Sequence, residues 1–192
     1  MNNVWLALAW VFAMAGAAAS DVDTAGEIFR SLLTPRDVPV AFVERRSNAL
    51  LKEPMELTGL VVFSAEGVLS KIITDPVHER MIISPDWIRL ERDGRTREFS
   101  IGRQKGAREF YLGLRALLDG DLDTVTELFE IAATRSDANH DWRIELVPRK
   151  QRMKRFVERM VVSGVGSAVT RIRTVQSADE WQEMILDSVG RE

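Results

Sequence analysis

Residues 56–101 read ELTGLVVFSAEGVLSKIITDPVHERMIISPDWIRLERDGRTREFSI. Apolar and polar side chains alternate here in short runs, the period of two that marks half-buried strands. The pattern predicts strands over Glu56 to Phe63, Val68 to Thr74, Glu79 to Ile83, Trp87 to Glu91 and Thr96 to Ile101. Ala65-Glu66-Gly67 and Asp93-Gly94 are hairpin turns in which glycine supplies positive φ. Thr74-Asp75-Pro76 and Ser84-Pro85-Asp86 are turn clusters between the other runs. Connections this short force antiparallel pairing, since parallel neighbours need crossovers of about a dozen residues or more. Val40 to Arg46 adds a further strand upstream, so this part of the chain is one meander.

Before the meander, Thr24 to Leu33 is predicted to be a short helix. Thr24 is its expected cap, with Glu27 three residues on as in a capping box, and Ile28, Leu32 and Leu33 form its apolar stripe. Pro35 ends it. Met1 to Ala19 carries no charged side chain, and Val4 to Ala15 is an apolar run followed by small residues. Ala17 and Ala19 form an A-x-A cleavage pattern, so residues 1–19 are read as a signal peptide cut after Ala19, and residues 20–192 as one domain. The alternative is a retained N-terminal anchor, for which the run is short.

After the meander the period lengthens. Glu109 to Leu118 places Phe110, Leu114, Leu117 and Leu118 on one helical face, and Asp119-Gly120 stops it. Asp121 or Asp123 caps a second helix holding Val125, Leu128, Phe129 and Ala132. Strands resume over Trp142 to Val147, with Arg149 to Phe156 as a helical turn, and continue over Arg159 to Ser163, Val169 to Val175 and Trp181 to Leu186. The fold class is α+β: a single strongly curved antiparallel sheet of about ten strands, with three or four short helices on its concave side. A sheet this large must curl or close to bury its apolar face.

Composition removes several functions. The chain has no cysteine, which excludes a lipid-anchoring cysteine, disulfides and thiolate metal sites. A formal net charge of −3 gives no nucleic-acid footprint. His78 and His140 both sit beside turn residues, as solvent-exposed loop histidines do. Asp137, Asn139 and Asp141 lack the glycine and distal Glu of a calcium loop. Gly164 and Gly166 form a G-x-G with no third glycine and no helix signal, which suits a bulge or turn. No catalytic residue, metal or cofactor is expected. Arg149, Lys150, Arg152, Lys154 and Arg155 put five cations in seven residues. They form either a solvated helix face or a patch for anionic headgroups or an acidic partner.

Several short motifs, in order, resemble the LolA family of periplasmic carriers of outer-membrane lipoproteins, and more closely its divergent LolA-like members. They are Ala41-Phe42-Val43-Glu44, the Gly-started Gly59-Leu60-Val61-Val62-Phe63, Val68-Leu69-Ser70-Lys71, Thr74-Asp75-Pro76, Trp87-Ile88-Arg89-Leu90, Arg92-Asp93-Gly94, the break at Leu117-Leu118-Asp119-Gly120-Asp121-Leu122, and Trp142 to Pro148. The resemblance implies an incomplete β-barrel with helices as a lid over an apolar cavity. It also implies a non-enzymatic monomer in the periplasm of a Gram-negative bacterium, taking acylated cargo, lipoprotein or lipid, from an inner-membrane donor to an outer-membrane acceptor. In LolA an arginine in the turn after the Gly-started strand fastens the lid; Ala65 stands there in this chain, so the latch is expected to be either missing or relocated to Arg45 or Arg46.

Alternation assigns a cavity wall of Phe42, Val61, Phe63, Met81, Ile83, Trp87, Leu90, Phe99, Trp142, Ile144, Leu146 and Met160, with Phe110, Leu114 and Leu118 on the lid. Two other readings remain. An adaptor would dock on a membrane transporter or lipid-synthesis complex through Arg149 to Arg155 and would have a filled core. An enzyme on acylated substrates would need a convergent nucleophile and base.

Overall fold

The computed structural model describes residues 15–32, 34–136 and 138–187. Among them, eleven strands form one antiparallel sheet: β1 (Val40–Ser47), β2 (Met55–Phe63), β3 (Leu69–Asp75), β4 (Glu79–Ile83), β5 (Trp87–Arg92), β6 (Arg95–Ser100), β7 (Phe129–Arg135), β8 (Asp141–Pro148), β9 (Arg159–Val165), β10 (Ala168–Val175) and β11 (Trp181–Leu186). The spatial order is β6-β5-β4-β3-β2-β1-β11-β10-β9-β8-β7, so two meanders are joined where β1 pairs with β11. β6 and β7 end the sheet and do not pair with each other, which leaves the barrel incomplete.

Four helices accompany the sheet: α1 (Ala15–Ser31), α2 (Lys105–Asp119), α3 (Leu122–Leu128) and α4 (Gln151–Lys154). Among the described residues none is long and apolar enough to cross a membrane. α1 begins earlier than expected, and Thr24 lies in its interior rather than at its cap. The predicted leader up to residue 14, and Leu33 of the predicted helix, lie outside the described residues. α2 ends as its sequence dictates: Gly120 takes φ +74 and its N–H reaches the carbonyls of Ala116 and Leu117. Asp121, not Asp123, caps α3 by accepting from the Thr124 N–H at 3.1 Å.

One element differs from expectation. Phe129 and Ala132 belong to strand β7, not to the helix before it. The positions 125, 128, 129 and 132 mimic a helical stripe, but α3 stops at Leu128. From there Phe129, Ile131 and Ala133 face inward, while Glu130, Ala132 and Thr134 face out. This strand raises the count from about ten to eleven.

The helices sit on one half of the concave face. Ile28 and Phe29 of α1, Leu117 of α2, Val125 and Leu128 of α3 and Met153 of α4 pack with Phe129, Ile144, Leu146, Met160 and Val162 from β7, β8 and β9. Each fully buried side chain of this size contributes about 1.5–3 kcal/mol. Two glycines let the layers close. A Cβ on Gly113 of α2 would stand 2.3 Å from the Phe129 ring, and one on Gly106 would stand 2.1 Å from the Arg152 carbonyl oxygen.

Candidate functional site

Strand register fixes which side chains look into the hollow. Across β1 to β6 the pairs align in rows. Phe42, Gly59, Ile73, Glu79, Arg92 and Arg95 form one row. Val40, Val61, Lys71, Met81, Leu90 and Arg97 form the next. Phe63, Leu69, Ile83, Ile88 and Phe99 form the third, at the end nearest the β2–β3 turn. Phe42 pairs with Leu186, and through Met184, Ile172 and Val162 the same face continues to Ile144 beneath the helices.

The expected wall residues therefore divide into two groups. Trp142, Ile144, Leu146 and Met160 face inward but are packed beneath the helices. Phe110 and Leu114 pack against that same cluster from α2, and Leu118 lines a cleft of about 610 Å³ with Phe29, Leu32, Pro35, Arg36 and Ala168. Phe42 and Phe63 are buried, and Phe42 joins a smaller cluster with Leu57 and Ile73, flanked by Val61. Met81, Ile83 and Leu90 face the hollow half-buried, and Phe99 is 50% exposed. Trp87 is not on this wall. It lies three residues from Leu90, so the two project to opposite sheet faces; Trp87 stacks with Arg89 at 4.8 Å on the convex side. Ile88 takes its place, and the spacing from 87 to 90 already carried that signal.

A buried ionic group lies in the floor of the hollow. Glu44 is 0% exposed and accepts from Lys71 Nζ and from Arg46, at 2.8 Å and 3.1 Å. Lys71 lies 5.2 Å from the centre of the Phe42 ring. Burial lowers the Lys71 pKa, against the opposing pull of the Glu44 carboxylate. The Gly-started strand has a steric reason. β2 bulges against β3 between Thr58 and Gly59, and a Cβ on Gly59 would lie 1.9 Å from the Ile72 carbonyl oxygen.

The latch is neither Arg45 nor Arg46. Arg45 projects from the opposite face of β1, and Arg46 is held by Glu44. The lid is instead tied from its own side. The Tyr111 hydroxyl of α2, itself buried, donates to the Gly67 carbonyl in the β2–β3 turn at 2.6 Å. Burial raises the Tyr111 pKa, so the hydroxyl stays a donor. Gly67 has φ +84, and a Cβ there would lie 2.7 Å from the Arg115 guanidinium. Arg36 reinforces the seam: it pairs with Asp119 at the end of α2, which also accepts from Arg115 at 3.2 Å, and it lies 4.2 Å over the Phe63 ring. Sequence reading missed Tyr111, the lone tyrosine of the chain, because its partner Gly67 lies 44 positions away.

The basic run is largely occupied inside the protein. Arg149 donates to the carbonyls of Thr126 and Phe129, both at 3.0 Å. Lys150 and Arg152 both bind Glu109 of α2, whose carboxyl is lowered to about 2 chiefly by the Arg152 hydrogen bond. Lys154 and Arg155 make no ion pair among the described residues.

Comparison with known proteins adds to this geometry. Residues 15–192 match the profile of a family described as outer membrane lipoprotein carrier protein LolA-like. No curated protein matches the chain. Among solved structures it is similar to a LolA superfamily protein of Nitrosomonas europaea, at 10% identity over 90% of this chain and 92% of that one, with a TM-score of 0.44. It is also similar to LprF of Mycobacterium bovis (12% identity, 91% and 93% covered, TM-score 0.38) and to the lipoprotein LppX of Mycobacterium tuberculosis (11% identity, 89% and 93% covered, TM-score 0.41).

Proposed function

The chain belongs to the LolA-like outer membrane lipoprotein carrier family, and on that premise we propose that it shelters the acyl chains of a lipoprotein or lipid and carries them across the periplasm from an inner-membrane donor to an outer-membrane acceptor. It does so as a non-enzymatic monomer. One observation carries the reading: the concave face of β4 to β6 presents Met81, Ile83, Ile88, Leu90 and Phe99, which among the described residues lie outside the helix-packed core. An acyl chain in water costs roughly 0.8 kcal/mol per exposed CH₂, and this surface is where that cost is relieved. The carrier must also unload, and where α2 meets the open half it is fastened by polar contacts, Tyr111 to Gly67 and Asp119 to Arg36.

Export fits the same scheme. Removal of residues 1–19 leaves the α1 residues that enter the core, Ala25, Ile28 and Phe29, on the mature chain. The adaptor reading has less support, because Arg149, Lys150 and Arg152 are engaged within the protein.

The experiment is extraction of the purified mature protein for mass spectrometry, together with titration by a fluorescent fatty acid. A co-purified acyl species or saturable uptake is expected. Absence of both would remove the carrier function.

A further inference from the structure

The edge of the open half is chemically two-sided. On the hollow side of β5 and β6 the inward positions run Ile88, Leu90, Arg92 and Arg95, Arg97, Phe99. The turn at Asp93-Gly94 gathers Arg92, Arg95 and Arg97 at one end of the strands, and Ile83, Ile88 and Phe99 lie at the other. Arg92 is held loosely, 3.7 Å from Glu79 and 3.6 Å from Asp93. Arg95 and Arg97 make no ion pair among the described residues, and both are exposed. This contrasts with the other inward cations, since Arg46 and Lys71 share Glu44. In a chain of net charge −3, unpaired guanidinium groups beside an apolar row form a local positive field.

Resting on the carrier reading above, we infer that the cargo is an anionic acyl lipid: its headgroup is held by Arg95 and Arg97, with Arg92 beside them, and its chain runs over Leu90, Ile88 and Phe99 toward the lid helix α2. Guanidinium forks suit phosphate and carboxylate oxygens, which they bind in pairs. The strand rise sets the scale. Four residues separate Arg95 from Phe99, about 13 Å, so head and tail sites are offset along one acyl lipid rather than superposed. The other use of arginines on an edge strand is to repel a second sheet edge. That role requires only charge.

The test compares fluorescent phosphatidylglycerol with phosphatidylcholine of identical chains, titrated into the mature protein and into the Arg95→Gln/Arg97→Gln double variant. Two partly exposed charge contacts give the wild type a preference of about tenfold for the anionic lipid. The double variant loses this preference. Its thermal melt by circular dichroism stays that of the wild type, because neither arginine is buried or paired. Arg80→Gln, on the convex face, retains the preference. Equal affinity of the wild type for both lipids, or a preference that survives the double variant, overturns the anionic headgroup and leaves the carrier function intact. So does a double variant that self-associates with unchanged lipid preference. Failure to bind either lipid overturns both.

Discussion

The two halves of the sheet are built from the same kind of sequence and end in different states. In β7 to β9, Phe129, Ile144, Leu146 and Val162 are sealed beneath four helices. In β4 to β6, Met81, Ile83, Ile88, Leu90 and Phe99 occupy equivalent inward positions and, among the described residues, lie outside the helix-packed core. Alternation tells which face a side chain takes, but not what covers that face. An apolar face outside the helix-packed core is the kind of surface on which proteins bind partners or ligands. On the carrier reading, stability belongs to the covered half and the open half is left for cargo.

The sharpest way to break this comparison is to make the same truncation in each half. Leu146→Ala removes a side chain with no exposure and is expected to cost about 2–5 kcal/mol of unfolding free energy. Leu90→Ala, half-buried on the open wall, is expected to cost under about 1 kcal/mol while weakening acyl-probe binding several-fold. Urea unfolding and probe titration read the two effects separately. If the two variants lose equal stability, the halves are one core and the open wall is not a cargo surface.

Much of this was legible in the sequence, and the exceptions have physical reasons. Glu79–Ile83 and Trp181–Leu186 stand at the expected boundaries because turn residues flank clear alternation. β7 was hidden because 125, 128, 129 and 132 satisfy a helical period by coincidence, and only the Asp121 cap and a seven-residue helix resolve it. At the candidate site, the inward apolar residues could be named from alternation, apart from the register slip at Trp87. The arginines of β6 were passed over because a charged residue in a strand reads as outward-facing. The latch was invisible for another reason: Tyr111 and Gly67 are 44 positions apart, and nothing local to either announces the contact.

The contact between α2 and α4 sharpens the comparison through pH. Glu109 holds both Lys150 and Arg152, and its carboxyl is lowered from 4.5 to about 2. A carboxylate whose pKa is depressed by folding contributes stability that is fully present above its unfolded value of 4.5 and is lost as pH falls through about 2. Stability of the covered half is therefore expected to drop between about pH 5 and pH 2, with Glu109→Gln flattening that part of the profile. The amplitude is about 1 kcal/mol, the range of partly exposed ion pairs. Melts across this window check it; a profile of the same slope in the variant would assign the acid sensitivity elsewhere.

The smallest effect falls where the two halves meet, and on the carrier reading it bears most directly on release. Tyr111→Phe removes one hydroxyl and leaves the ring, so the Gly67 carbonyl loses its donor while packing is retained. The expected loss is about 0.5–1.5 kcal/mol, small against global unfolding. Its consequence is local. α2 is fastened to the open half at Gly67 and, through Asp119, at Arg36, so losing one of these contacts raises the fraction of time the lid stands open. Hydrogen exchange is expected to quicken in α2 and not in β8 and β9. Acyl-probe exchange is expected to accelerate severalfold with little change in affinity, because the same opening serves entry and exit. Uniform quickening across β8 and β9 would mean that Tyr111 supports the core as a whole. Quickening confined to α2 with unchanged probe exchange would mean that cargo enters without passing the lid.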